Sequence, residues 1–119
     1  MMAMDISTVQ QENYDLVSIS GRIDSYTAPK LAEVLKSITD AGRFNVVLDL
    51  TNVSYVSSAG LRVFIDVQKA CRFQKRGEAL LVNVPQRVCD TLELAGFMPL
   101  FKIFDDINKA AQNFSQKSA

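Results

Sequence analysis

The chain has 119 residues, with 13 Lys plus Arg against 13 Asp plus Glu, 48% apolar and 22% charged residues, two Cys, and neither His nor Trp. This composition describes one globular domain, long enough to bury roughly two-thirds of the surface its unfolded form exposes without a metal or disulfide staple. Zero net charge leaves no basic excess to neutralise phosphates and argues against direct nucleic-acid binding, while the absence of His removes Ser-His-Asp and Cys-His catalysis, imidazole-ligated zinc and an imidazole switch near neutral pH.

Met1, Met2, Ala3, Met4 and Asp5 lack the basic start and apolar run of a signal peptide, and no later stretch reaches the roughly 18 apolar residues of a membrane span. The expectation is a cytoplasmic protein with no membrane insertion. Residues 6–10 alternate apolar and polar, 11–13 form a polar break, and 16–20 begin a second strand that ends at Gly21; strands this close must pair as an antiparallel hairpin. Asp24, Ser25, Tyr26, Thr27 and Ala28 lead into Pro29, which is acceptable in a first helical turn because its missing N–H is not needed there. Leu31, Val34, Leu35 and Ile38 then recur at helical spacing, Gly42 closes the helix, and the near-continuous apolar run 44–50 reads as a strand buried on both faces.

The polar stretch 51–57 leads to Ser58, after which Val63, Phe64, Val67, Ala70 and Cys71 mark a core-facing helix with Arg62, Asp66 and Lys69 on its other side. Gly77 ends that helix and residues 79–84 make a second buried strand. Pro85 opens a third helix carrying Val88, Cys89, Leu92 and Leu94, stopped by Ala95, Gly96 and Phe97. A short strand around 102–104 and a helix over about 106–114 complete the chain, leaving a polar tail, 115–119, expected to fray. The predicted fold class is α/β: a mixed β-sheet in which an opening antiparallel hairpin is followed by alternating helices and parallel strands, as one domain over 1–119 with its core at about 5–110. Cys71 and Cys89 fall in apolar patterns and match neither a redox pair nor a metal-ligand spacing, so both are expected to be reduced core thiols.

The strand-to-helix junctions 21–28 and 54–61 are the candidate sites, because α/β folds place ligands at the carboxyl ends of their strands. The second puts Ser57 and Ser58 at the mouth of a helix, where unpaired N–H groups and the positive dipole end favour an anion. Two readings stay open there. Either serine can be an N-cap, worth about 1 kcal/mol, or a hydroxyl can accept a phosphate, adding roughly −1.5 to −2 charge where the dipole tolerates it. A catalytic nucleophile fits less well, since Val56 stands where a nucleophile elbow needs Gly and no His is present as base.

No glycine-rich nucleotide loop, P-loop or zinc pattern occurs, and neither cofactor nor metal is expected. Lys69, Arg72, Lys75 and Arg76 read as cations complementing a helix end, with a patch for an acidic partner as the alternative. Asp105 and Asp106 read as cap and first-turn residues rather than a divalent-ion site. Asp49 invites comparison with the phosphoacceptor of response-regulator receivers, but those open with a strand and helix and carry an acidic pair and a late Lys that have no counterpart here. Asp49 is expected instead to satisfy backbone donors at a strand end or to border Ser58.

The segments Gly21-Arg22-Ile23-Asp24-Ser25-Tyr26-Thr27-Ala28, Val46-Val47-Leu48-Asp49-Leu50, Tyr55-Val56-Ser57-Ser58-Ala59-Gly60-Leu61 and Leu94-Ala95-Gly96-Phe97 together resemble, in matching order from about residue 5 to 110, the STAS family, specifically the stand-alone anti-sigma-factor antagonists. The resemblance implies a non-enzymatic, phosphorylation-controlled partner switch. The unmodified antagonist binds an anti-sigma factor that is itself a serine kinase and so releases a sigma factor; phosphorylation breaks the complex and a serine phosphatase restores it. It places the acceptor at Ser58 and the partner surface at Asp24, Ser25, Ser57, Ser58, Ala59, Gly60 and Leu61, with Leu61 and Ile65 as an apolar edge. Ser57 stands where many antagonists have Asp, and Ala59 where they have Ser or Thr. The alternative is a STAS subunit of another signalling or lipid-transport complex, in which Ser58 only caps the helix; an enzyme using the same helix mouth lacks a general base.

Overall fold

The break after Gln10 is too short for a crossover, so β1 (Asp5–Gln10) folds back antiparallel on β2 (Asp15–Ile23). The computed structural model describes residues 4–117. Its five strands lie in sequential order, β1 and β2 followed by β3 (Asn45–Val56), β4 (Glu78–Val82) and β5 (Ile103–Phe104). The β2–β3, β3–β4 and β4–β5 pairings are all parallel. A helix makes each parallel connection: α1 (Ala28–Asp40), α2 (Ser58–Arg72) and α3 (Gln86–Leu94), with α4 (Ile107–Lys117) last. The expected mixed sheet with an opening hairpin therefore forms.

One sheet face, with Val17, Ile19, Val46, Leu48, Leu50, Ala79 and Leu81, packs against Leu31, Leu35, Phe64, Val67, Val88 and Leu92 of α1, α2 and α3. The other face is narrower: Val47, Leu80 and Val82 meet Ala110 and Phe114 of α4, and the Tyr14 and Phe114 rings lie 6.0 Å apart. Strands β3 and β4 are thus covered on both sides, as their apolar runs require, each fully buried Val or Leu contributing about 1.5–3 kcal/mol. The buried Asp15 and Gln68 side chains are paired. The Asp15 carboxylate accepts from Arg43 Nε at 3.0 Å. Gln68 donates to the Ala79 and Leu100 carbonyls (3.1 and 2.8 Å) and accepts from Ala79 N–H (2.8 Å). It acts where β5, only two residues long, leaves β4 without a neighbour.

Several boundaries differ from the sequence expectation. Strand β2 continues past Gly21, which adopts φ +95°, to Ile23. The stretch 51–56 is strand, not loop: two register shifts against β2 add a residue each to β3, so its inward residues Leu50, Val53 and Val56 recur every third position. Asp49 consequently lies within the strand, well short of Ser58, and its Oδ1 accepts from Thr51 N–H (3.1 Å) and Oγ1 (2.6 Å). Strand β4 stops at Val82 because Asn83 turns to φ +54°. Leu94 is 90% exposed, since only Val88 and Leu92, one turn apart, face the core from α3. Cys71 is buried, with its thiol pushed up to about 12 by burial and then by the nearby Glu78 charge, whereas Cys89 is half-buried; both are free thiols. Helix α4 runs to Lys117, so part of the expected tail is helical, and residues 118–119 lie outside the described residues. Among the described residues no helix is long and apolar enough to cross a membrane, and no cluster of three or more Cys, Asp or Glu could hold a metal ion.

Candidate functional site

The carboxyl ends of β2 and β3 carry both candidate junctions and are tied together where Ser57 N–H donates to the Ile23 carbonyl at 2.8 Å. Gly60 sets how closely they meet. A Cβ there would lie 2.7 Å from Ile23 Cγ2, 2.9 Å from Val56 Cγ1 and 3.0 Å from Ile23 O, so the first turn of α2 rests against the end of β2 only because residue 60 has no side chain.

The two adjacent serines have different jobs. Ser57 precedes the helix in extended conformation (φ −88°, ψ 177°), its carbonyl accepts from Leu61 N–H (2.9 Å) and its Oγ accepts from Gly60 N–H (3.4 Å), making it the N-cap. Ser58 is the first helical residue and is exposed; its hydroxyl has no hydrogen-bond partner among the described residues. The reading in which Ser58 only caps the helix is therefore corrected, because the extended approach from Val56 gives that role to Ser57.

On the neighbouring loop, Asp24 Oδ1 accepts from Tyr26 N–H (3.0 Å) and Thr27 N–H (3.1 Å), while Thr27 Oγ1 accepts in return from Asp24 N–H (2.9 Å) and shares its one proton between the Arg22 carbonyl (2.7 Å) and Asp24 Oδ1 (3.2 Å). This reciprocal staple fixes the entry to α1. The Thr27 backbone N–H foremost, helped by Tyr26 N–H, the Thr27 hydroxyl and the Arg22 charge and opposed by desolvation, holds the Asp24 carboxyl below its ordinary 3.8. Asp24 thus shapes the loop. The groups most open to a partner are Ser25 and Tyr26, the latter 87% exposed.

Of the expected partner residues, Asp24, Ser25, Ser57, Ser58 and Ala59 sit at one end of the sheet with some or all of their surface open, but Gly60 and Leu61 are buried. Leu61 is 5% exposed and belongs to the core, so it cannot form an exposed apolar edge, and Ile65 is half-buried. Sequence reasoning gave no role to Tyr26, or to Arg22, whose guanidinium lies 4.2 Å over the Tyr55 ring. Arg22 and Tyr55 are register partners on β2 and β3. An exposed aromatic between two hydroxyl residues was the available signal for Tyr26; the Arg22–Tyr55 pair depends on the bulged register and had none.

The STAS domain family profile matches residues 5–110. A protein of Staphylococcus aureus named anti-sigma-B factor antagonist is 32% identical over 102 residues, which span 86% of this chain and 94% of that protein. Among solved structures, an anti-sigma factor antagonist from Mycobacterium paratuberculosis superimposes with a TM-score of 0.85 at 20% identity, covering 95% of both chains. The Bacillus cell fate determinant SpoIIAA in its phosphorylated form gives 0.70 at 11% identity, over 92% of this chain and 98% of that one. The structural matches bear on the fold alone; with the profile over most of its length and a relative this similar, the chain belongs to the STAS domain family.

Proposed function

We propose that the chain is an anti-sigma factor antagonist whose binding to an anti-sigma factor is switched off by phosphorylation of Ser58. The observation that carries this reading is the division of labour at the helix start: Ser57 caps α2, leaving the Ser58 hydroxyl exposed and uncommitted on a rigid element. The name of the S. aureus relative supports the antagonist role. SpoIIAA, of the same fold, exists in a phosphorylated form, which supports the fold's tolerance of a phosphate.

The chain acts by binding and as a phosphate acceptor, not as an enzyme. Among the described residues no group is hydrogen-bonded to the Ser58 hydroxyl, and, as the resemblance to anti-sigma-factor antagonists implies, the anti-sigma factor serves as the serine kinase. In that transfer Ser58 Oγ attacks the ATP γ-phosphorus, the Oγ–P bond forms as the bond to the β-phosphate oxygen breaks, ADP leaves, and the hydroxyl proton passes to the kinase. A serine phosphatase hydrolyses the ester and restores binding. The partner surface consists of Ser25, Tyr26, Ser58 and the open parts of Asp24, Ser57 and Ala59, with buried Gly60 and Leu61 setting its shape from beneath. The switch is electrostatic. A dianion at a helix start is tolerated by the fold, but the same charge pressed into a desolvated interface is not. Such a cycle belongs in the cytoplasm, where ATP and sigma factors reside.

The test is incubation with ATP and the partner kinase followed by phosphopeptide mapping. Modification at Ser58 is expected; modification confined to Ser57, or none with a proven partner, overturns the reading.

A further inference from the structure

At the opposite end of the sheet from Ser58, where β3 and β4 begin, lies an open groove of about 670 Å³ lined by Arg72, Lys75, Arg76, Lys102, Glu78 and Phe114 among others. The four cations come from three segments: the last turn of α2, the turn after it, and the approach to β5. A helix-end role accounts for Arg72 but not for Lys75 and Arg76, which lie beyond the helix, nor for Lys102, which arrives from elsewhere.

Glu78, buried with 3% of its side chain exposed, holds Arg72 Nη2 at 3.0 Å and Lys102 Nζ at 3.8 Å, fixing both heads at the mouth. Arg76 is seated against two rings, 4.7 Å from the Phe44 centroid and 5.3 Å from that of Phe73, which is 59% exposed. Neither Lys75 nor Arg76 pairs with a carboxylate among the described residues. The turn presenting them is strained: Gln74 and Lys75 both lie in the left-handed region, at φ 58° and 59°. Among the described residues, a chain of zero net charge thus places four cations along this groove, two of them held by Glu78, and one of the others, Arg76, lies over the exposed Phe73 ring.

We propose that this groove binds an acidic peptide segment of a protein partner, one in which Asp or Glu residues flank an aromatic or aliphatic side chain. The charge complements such a segment: Arg72 and Lys102 meet on Glu78, while Lys75 and Arg76, from a different segment, form no ion pair with it among the described residues, a spread that suits successive carboxylates along an extended peptide better than one small anion. The inference stands independently of Ser58.

The test is fluorescence anisotropy of a labelled Glu-Glu-Glu-Phe-Glu-Glu-Glu peptide at low salt, with circular dichroism to verify folding. Saturable binding that weakens as salt rises is expected, at least about fivefold weaker with Arg76→Gln and with Lys75→Glu, the latter reversing an exposed charge. The paired substitution Lys36→Gln with Lys109→Gln, removing cations elsewhere, should leave it unchanged. No binding at low salt, equal weakening by the remote pair, or binding of tripolyphosphate without binding of the peptide overturns the proposal.

Discussion

Gly60→Ala probes the contact on which the placement of Ser58 depends. The new methyl would lie 2.7 Å from Ile23 Cγ2 and 2.9 Å from Val56 Cγ1, about 1 Å inside ordinary contact distance. Both neighbours are buried and β-branched, so neither swings aside without disturbing the core, and the Ile23 carbonyl at 3.0 Å already accepts from Ser57 N–H. Overpacking of this kind costs about 1–3 kcal/mol, against which Ala regains up to about 1 kcal/mol of helix propensity. The expected net loss is about 1–2 kcal/mol, or about 4–10 °C in Tm for a domain of this size. Thermal unfolding followed by circular dichroism measures it. A double-mutant cycle with Val56→Ala, which removes one colliding methyl, should show the two substitutions together costing about 1 kcal/mol less than their sum. An unchanged or raised Tm, or strict additivity, would refute the close-approach argument.

The serine assignment predicts that Ser57→Ala lowers stability by about 0.5–1 kcal/mol, modest because its cap bond is long, while Ser58→Ala is neutral or slightly stabilising; urea titration giving the reverse order would exchange their roles. Gln68→Leu should cost about 2–4 kcal/mol by stranding the Ala79 and Leu100 backbone groups, and a loss under about 1 kcal/mol in the same assay would show that water replaces the amide. Because the folded state holds the Asp24 carboxyl below its unfolded value, its contribution is complete above pH about 4 and fades as pH falls through the lower folded value. Asp24→Asn should therefore flatten the acid limb of the stability curve, and an acid limb identical to the parent's would contradict the staple.

The hairpin, the three crossover helices and the doubly covered strands were legible because their apolar residues keep the periods of two and three to four that secondary structure imposes. The end of β3 was not: its two added residues give Leu50, Val53 and Val56 a spacing of three, which matches no regular strand, and its outward side chains are polar. That one miss carried two others. With the strand ended early, the choice of cap between Ser57 and Ser58 was open, and the Arg22–Tyr55 pairing that follows from the register was invisible. Leu61 looked available because it stands one turn after Ser58 and on nearly the same side of α2, yet Ser58 is the first helical residue at the open end, whereas one turn further in the helix is already packed and Leu61 belongs to the core. The basic groove was half legible: the run from Lys69 to Arg76 is plain in the sequence, while Lys102 and the buried Glu78 that seats it join only through the β4–β5 neighbourhood.

The charge switch at Ser58 is tested most directly by titration calorimetry of the anti-sigma factor with Ser58→Asp and Ser58→Ala, each verified by thermal unfolding. A carboxylate at the first helical position should leave the fold intact or help it by about 0.3–1 kcal/mol, while in a desolvated interface it should cost about 2 kcal/mol or more, roughly a thirtyfold loss of affinity. The account predicts that the Ala variant binds like the parent and the Asp variant folds but binds at least about thirtyfold more weakly; equal binding by the two, or an Asp variant that unfolds, would contradict it.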